Sequence, residues 1–359
     1  MPRRPYILFI HPGESSFIKE DLRILKSFAD LSVFLFNPSK SPFKLILQFF
    51  YQFFWLLKNI KKADALYCWF SDYHSFLPVL FSKLFNITSI TVLGGFDCNK
   101  IKQLNYGIFC SNWRTPLGKY VLQNSTLLLP VDRTLIATDP VSKYWEEAHP
   151  NGITQNVQNF NTNWQSVPTG YNPDLWGFGP EDRDKVICSV ALCSNNRTAV
   201  IKGWDLLIEI AKKLPDFNFK LVGISDEFKD VFIQKYAPGK NVELISPMNR
   251  NDLETIYHRS SVHAQLSRAE GLPNVLCEAM LCGCVPVGSA VFGIPHGIGD
   301  AGYVAEFPDP KKITELIRQA HQNAEKLRPK ARQQIIDNFS IKQREDTLRE
   351  IFQNYRVLG

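Results

Sequence analysis

Short, unbroken apolar runs separated by stretches of helical period organise this chain. The runs at 6–10, 32–36, 65–69 and 87–92 are continuous rather than alternating. That is the pattern of strands buried on both faces of a parallel sheet. Helices are predicted between them, near 17–26, 44–61 and 75–85. Such strand–helix–strand punctuation predicts a doubly wound α/β sheet. A second series begins at Val186, with strands predicted at 186–190, 219–222, 242–245, 262–266 and 285–287. Its helices are predicted at 204–214, 227–236, 251–259 and 273–282. Between the two series, residues 159–184 are rich in Asn, Pro, Gly and Trp, which places a linker near 170–185. Residues 341–355 read as a final helix.

A length of 359 residues suits two domains of ordinary size. A hydrophobic content of 45% and a charged content of 21% are those of a folded globular chain. The net charge of +6 fits anionic ligands or an anionic lipid surface. With no arginine-rich run beside it, it does not argue for nucleic acid. The eight cysteines lack the paired spacing of a zinc site and read as buried thiols of a reducing compartment. The apolar run after the basic start is only five residues, too short for a secretory leader, so a cytoplasmic location is expected.

The charged residues change the picture most within residues 267–289, SRAEGLPNVLCEAMLCGCVPVGS. Glu270 and Glu278 are separated by seven residues, and Pro273 marks a helix start between them. Glu270 then lies in the loop and Glu278 more than a turn inside an otherwise apolar helix. A carboxylate in that setting needs a partner. The helix start itself is an anion seat. Upstream, Arg197 and Lys202 follow the strand at 186–190, where paired cations suit a diphosphate.

This constellation resembles the retaining GT-B glycosyltransferases of family 4, the glycosyl transferases group 1, which carry a Glu-x7-Glu motif. The likeness is good over 186–324 and looser over 6–175. It implies an α/β fold of two Rossmann-like doubly wound domains facing each other across a cleft. The domains would be an acceptor domain 1–170, a linker 171–185 and a donor domain 186–338, with the segment 339–359 crossing back to the first domain. It implies hexosyl transfer from a nucleotide-diphosphate sugar, UDP- or GDP-linked, to a saccharide or lipid-linked acceptor in glycan or polysaccharide synthesis. By the same resemblance Arg197 and Lys202 grip the diphosphate, Glu270 faces the sugar and Glu278 binds the ribose. Gly271, Leu272 and Asn274 would turn backbone amides to the phosphates around Pro273, which starts the helix, while Pro247 and Met248 would border the base. No cofactor and no metal are then required, because side-chain cations and a helix end neutralise the leaving group. Alternatives are a GT-B-shaped sugar-nucleotide epimerase and an inactive subunit that binds a glycan or partner.

Gly13 follows the first strand, where relatives often carry a Gly pair; here it stands alone. Gly94-Gly95-Phe96-Asp97 follows the fourth strand. Asp97 reads either as a catalytic group near the acceptor or as a turn cap. Gly297–Gly302 satisfies Gly-x-Gly-x-x-Gly but has Pro295 before it and a strand-like run after it, against a dinucleotide loop. Asp182-Arg183-Asp184 reads as solvated charge. The segment 40–62, from Lys40 to Lys62, holds five lysines, seven aromatics and no acidic residue. Lys44, Gln48 and Gln52 form its polar stripe. It reads either as a Rossmann helix packed on the sheet or as a peripheral contact with the inner face of the cytoplasmic membrane.

Overall fold

A computed structural model of the protein describes residues 3–137, 151–355 and 357. They form two compact units. One comprises residues 3–137, 151–170 and 341–355 with Val357; the other comprises 171–340.

The first unit runs β1 (Tyr6–His11), α1 (Ser16–Phe28), β2 (Asp30–Leu35), α2 (Pro42–Asn59), β3 (Ala65–Trp69), α3 (Tyr73–Phe85), β4 (Thr88–Leu93), α4 (Arg114–Asn124), β5 (Leu127–Pro130) and α5 (Ile153–Asn156). Its strands pair in the order β2-β1-β3-β4-β5, all parallel. Burial of β1 and β3 explains their unbroken apolar runs: Leu8, Ile10, Leu66 and Cys68 form a core with Leu56, Ile60 and Phe81. The strand β5 and the helix α4 were not predicted. The α4 sequence contains Pro116 and Gly118, both poor helix formers. A Cβ at Gly118 would lie 2.3 Å from the Ile108 Cδ1 and 3.1 Å from the Ser71 carbonyl, so a larger residue there would displace the Ile108 side chain.

The second unit runs β6 (Val186–Cys193), α6 (Asn196–Ile201), α7 (Trp204–Lys213), β7 (Asn218–Ile224), α8 (Asp226–Tyr236), β8 (Val242–Ile245), α9 (Arg250–Arg259), β9 (Val262–Gln265), α10 (Asn274–Leu281), β10 (Val285–Ser289), α11 (Ile294–Ile298), β11 (Tyr303–Ala305), α12 (Pro310–Gln322) and α13 (Ala324–Asn338). The strand order is β11-β10-β9-β6-β7-β8, again parallel throughout. From β6 the chain winds outward to β8, then returns to β9 and winds the other way. The order therefore reverses between β6 and β9. In such sheets the crevice at the carboxyl ends of the two reversing strands is where ligands bind.

The final helix, α14 (Ile341–Asn354), packs within the first unit. Its anchor is Arg344, which donates to both oxygens of Asp21 at 2.6 and 2.7 Å. Tyr67 and Trp69 donate to the same carboxylate at 2.7 and 2.9 Å. All this is buried, so the pair is fully hydrogen-bonded out of water.

Residues 182–184 differ from the sequence reading. Asp182 and Asp184 are exposed, but the Arg183 guanidinium is turned inward. It donates to the carbonyls of Tyr257 and Ser260 at 2.8 and 2.6 Å and to that of Cys282. A long cation beside two carboxylates looked like surface charge, and only the fold supplies the loop carbonyls that it caps. All eight cysteines are free thiols, and all but Cys110 are buried.

Candidate active site

The loops after β6 and β9 flank the reversal point of the second sheet and are laced together. Asn195 caps α6 by accepting from Thr198 N–H at 2.9 Å. Gly203 follows at a left-handed φ of +71°, and a Cβ there would sit 2.1 Å from the Leu266 carbonyl. Only glycine permits that approach. Arg268 N–H donates to the Ile201 carbonyl at 2.7 Å, and its guanidinium bonds the Val200 carbonyl and Asp205, both at 2.6 Å. These contacts fix Lys202 opposite Glu270.

The Lys202 ammonium donates to Glu270 Oε1 at 2.5 Å. Ser267 Oγ donates to the same oxygen at 2.9 Å, and Gln265 approaches it at 3.4 Å. Behind them lies a chain of polar groups along β9. His263 Nε2 bonds Gln265 Oε1 at 3.1 Å, and Gln265 Nε2 donates to Ser267 Oγ at 2.8 Å. Burial pushes the His263 imidazole down to about 4, so it is neutral at pH 7. Cys188, its thiol pushed up by burial, lies 3.5 Å from His263 Nδ1. With Cys188 S–H pointing at Nδ1, every donor in the series is aimed toward Glu270. The sequence reading missed His263, Gln265 and Ser267. Their signal was a two-residue alternation, Val-His-Ala-Gln-Leu-Ser, along the strand and just past its end.

Beyond Glu270, Gly271 O accepts from Gly293 N–H at 3.0 Å and Leu272 is buried. Pro273 occupies the N-cap of α10 and offers no side-chain acceptor, so the first turn lacks a side-chain cap. Asn274 opens the helix and its Oδ1 accepts from the Tyr171 hydroxyl at 2.7 Å. Glu278 lies one turn further on. It keeps a small solvent contact, yet burial pushes its carboxyl up to about 7. No hydrogen bond or ion pair engages it among the described residues. Its carboxylate is half-buried and is met by no protein donor among the described residues.

Arg197 is exposed in the first turn of α6. Pro247 is exposed and Met248 half-buried in the loop after β8, ahead of the α9 cap Asn249. Within the second unit, then, Arg197, Lys202, Glu270 to Asn274 and Pro247–Met248 all lie in loops or first turns that follow strands.

In the first unit, Gly13 lies in the loop after β1, and a Cβ there would meet nothing within 4 Å. Packing does not demand a glycine at that place. Asp97 is 1% exposed. Its carboxylate accepts from the backbone N–H groups of Ser71, Gly94 and Gly95 at 2.9, 3.1 and 2.8 Å. This is the geometry of a turn cap. Of the two readings of Asp97, these bonds match the turn cap. Burial raises its pKa despite those bonds.

One cluster of metal-ligating types occurs among the described residues: Glu254, His258 and Cys282 bring their ligand atoms within 4.8 Å of one another. Gly177 N–H occupies Glu254 and the Gly177 carbonyl engages His258. The Arg183 guanidinium caps the Cys282 carbonyl. A cation beside these groups would face an existing one.

The fold has known counterparts. Sucrose-phosphate synthase of Thermosynechococcus elongatus superposes with a TM-score of 0.72 over 98% of this chain and 99% of its own, at 15% identity. HepE of Anabaena, solved in complex with UDP, gives 0.70 over 97% of this chain and 100% of its own, at 13% identity. The architecture is that of the GT-B glycosyltransferases, with two Rossmann-like parallel-sheet domains of five and six strands. By sequence, an uncharacterised glycosyltransferase of Haemophilus influenzae is 26% identical over 173 residues, 46% of this chain and 43% of that protein. The N-acetyl-alpha-D-glucosaminyl L-malate synthase of Bacillus anthracis is 23% identical over 236 residues, 63% and 61%. The matched stretch thus spans roughly half the length of these curated relatives. Residues 180–338, which carry every second-unit feature above except Tyr171 and Gly177, match the family described as glycosyl transferases group 1.

Proposed function

We propose that this protein is a retaining glycosyltransferase of the Glu-x7-Glu type. It would move a hexosyl group from a nucleotide-diphosphate sugar to a saccharide or lipid-linked acceptor. The observation that carries the reading is the pairing of Lys202 with Glu270 at the strand-order reversal, one uncapped helix turn ahead of the orphaned Glu278. Two ribose hydroxyls would give Glu278 the donors it lacks. The first-turn amides of α10, Lys202 and Arg197 would meet the diphosphate, and Pro247 and Met248 the base.

The chemistry is a same-face displacement. The bond from the anomeric carbon to the diphosphate oxygen breaks as the bond to the acceptor oxygen forms. The acceptor proton passes to the departing phosphate oxygen. Negative charge grows on the leaving group, and preorganised cations there act where the transition state needs them. Glu270, with one oxygen saturated by Lys202 and Ser267, keeps Oε2 for a sugar hydroxyl. These cations take the part that a divalent ion plays elsewhere, so transfer is expected to persist in excess EDTA.

UDP-glucose is the first donor to assay, because HepE was solved with UDP-glucose. Transfer to a panel of acceptors, with Arg197→Ala and Lys202→Ala as controls, tests the reading. Unimpaired turnover in both variants would overturn the roles of these two cations, and conversion of donor without acceptor would point to an epimerase.

A further inference from the structure

Helix α2 is apolar on two sides, with Trp55 and Phe49 packed inward on Phe34 and Phe36 and a further apolar stripe left exposed. It occupies the place of a crossover helix between β2 and β3, and a helix there normally turns its apolar side to the sheet. Here the two fully buried side chains are Leu56 and the polar Gln52, which donates to the His74 carbonyl at 2.7 Å. The further apolar stripe faces water. Phe43, Leu47, Phe50, Phe54 and Leu57 follow one another at spacings of three and four, along a single face. Phe43 is 70% exposed, Phe54 64% and Phe50 58%. Ile46 and Phe53 widen the stripe on one side, and Tyr51 lies on the other. Phe53 and Phe85, both partly exposed, pack on the buried Phe81 ring at 5.5 and 6.0 Å, and Leu84 beside Phe85 is also exposed.

Taking about 200 Å² for a fully exposed aromatic side chain, this face presents on the order of 800 Å² of apolar surface. That exceeds the largest patch of an ordinary monomer, about 300–600 Å². Its borders are basic. Lys40, Lys44, Lys58, Lys61, Lys62 and Lys83 are exposed, and none makes an ion pair among the described residues. No acidic residue occurs from 31 to 63. The helix is about 27 Å long, and no helix of the described residues is long and apolar enough to cross a membrane.

We propose that α2 is a docking face for an anionic lipid bilayer and lies in the plane of its interface. The aromatic stripe would sink among the acyl chains, while the lysines engage phosphate head groups. Charge decides between the possible occupants. A second copy of this face would set six lysines against six lysines, whereas an anionic membrane complements them. A surface-bound enzyme would meet a lipid-linked acceptor where that acceptor resides.

Flotation with vesicles of phosphatidylglycerol and phosphatidylcholine tests this, and it needs no turnover, so its failure leaves the donor site untouched. At about 0.05 M salt the protein should float with anionic vesicles, and at about 0.5 M it should float less. The variant with Lys58, Lys61 and Lys62 changed to Glu should lose on the order of 100-fold in affinity. A variant with Phe43, Phe50 and Phe54 changed to Ser, lysines intact, should also lose binding. All six side chains are exposed, so unchanged circular dichroism and melting are expected and would exclude misfolding as the cause. Wild-type protein that stays unbound at low salt would overturn the proposal. So would equal binding by the lysine variant, or a concentration-dependent dimer in lipid-free sedimentation that Phe50→Glu abolishes.

Discussion

Replacing Glu278 with Gln should make the free protein more stable and the enzyme worse, and the stability gain should depend on pH. Burial lifts the Glu278 carboxyl from 4.5 to about 7. Below pH 4.5 it is protonated in both the folded and the unfolded chain and costs nothing. Between 4.5 and about 7 the unfolded chain has released the proton while the folded protein still holds it. Stability therefore falls as pH rises through that window and stays low above it. At about 1.4 kcal/mol per unit the cost reaches about 3 kcal/mol at pH 8. This is an upper bound, because the carboxylate keeps some contact with water. Glutamine has no proton to release and escapes the cost. For a unit of this size the gain corresponds to a rise in Tm of about 6–10 °C at most. Melting both proteins at pH 5 and pH 8 measures it: a small gap is expected at pH 5 and the full gap at pH 8.

Ligand binding then reverses the order. Ribose hydroxyls donate to an ionised carboxylate, so a nucleotide should pull the pKa of Glu278 back down. Wild-type protein should release a proton on binding UDP near pH 6.5, seen calorimetrically as an enthalpy that varies with the buffer's ionisation heat. Glu278→Gln should bind UDP more weakly and release none at this site. A variant no more stable than wild type at pH 8, or one that binds UDP with unchanged affinity and the same proton release, would refute the reasoning.

Lys202→Ala should lower kcat by about 10²–10³-fold, the usual cost of removing one donor aimed at the developing charge; single-turnover kinetics check it. Ser267→Ala removes one of the bonds that hold Glu270 Oε1 and should reduce kcat by less than Lys202→Ala does, at unchanged Tm. Asp97→Ala should cost about 3 kcal/mol or more, because three buried N–H groups lose their acceptor. Its kcat per folded molecule should be near wild type, and a selective loss of turnover in a protein of normal Tm would count against the turn-cap assignment. Arg344→Met leaves Asp21 as an uncompensated buried charge and should destabilise the first unit by about 3–5 kcal/mol, read by urea unfolding.

Much of this site could be read in the sequence because its chemistry is local. Glu270, Pro273 and Glu278 lie within nine residues, and a loop, a helix start and a helix interior follow from the residue types alone. Arg197 and Lys202 are equally compact, one in the first turn and one at the C-cap of a short helix after a strand. What escaped is what depends on partners far away in sequence. Asp97 follows two glycines and looks the same whether it caps a turn or faces a substrate; the distant Ser71 N–H, which joins its bonds to Gly94 and Gly95, encloses the second oxygen. Arg183 looked solvated because the carbonyls it caps come from 257, 260 and 282. Helix α2 is a different case, because its sequence left two contacts open. Its polar stripe of Lys44, Gln48 and Gln52 suggested a solvent face, and ordinary amphipathic logic would turn the phenylalanines inward. Yet the side chains the fold buries are Gln52, against helix α3, and Leu56, and most of the aromatics are left outside. Periodicity identifies a face but not what it touches. When the apolar face is the one in water, local sequence alone does not explain it, and the lysines at its border indicate what does.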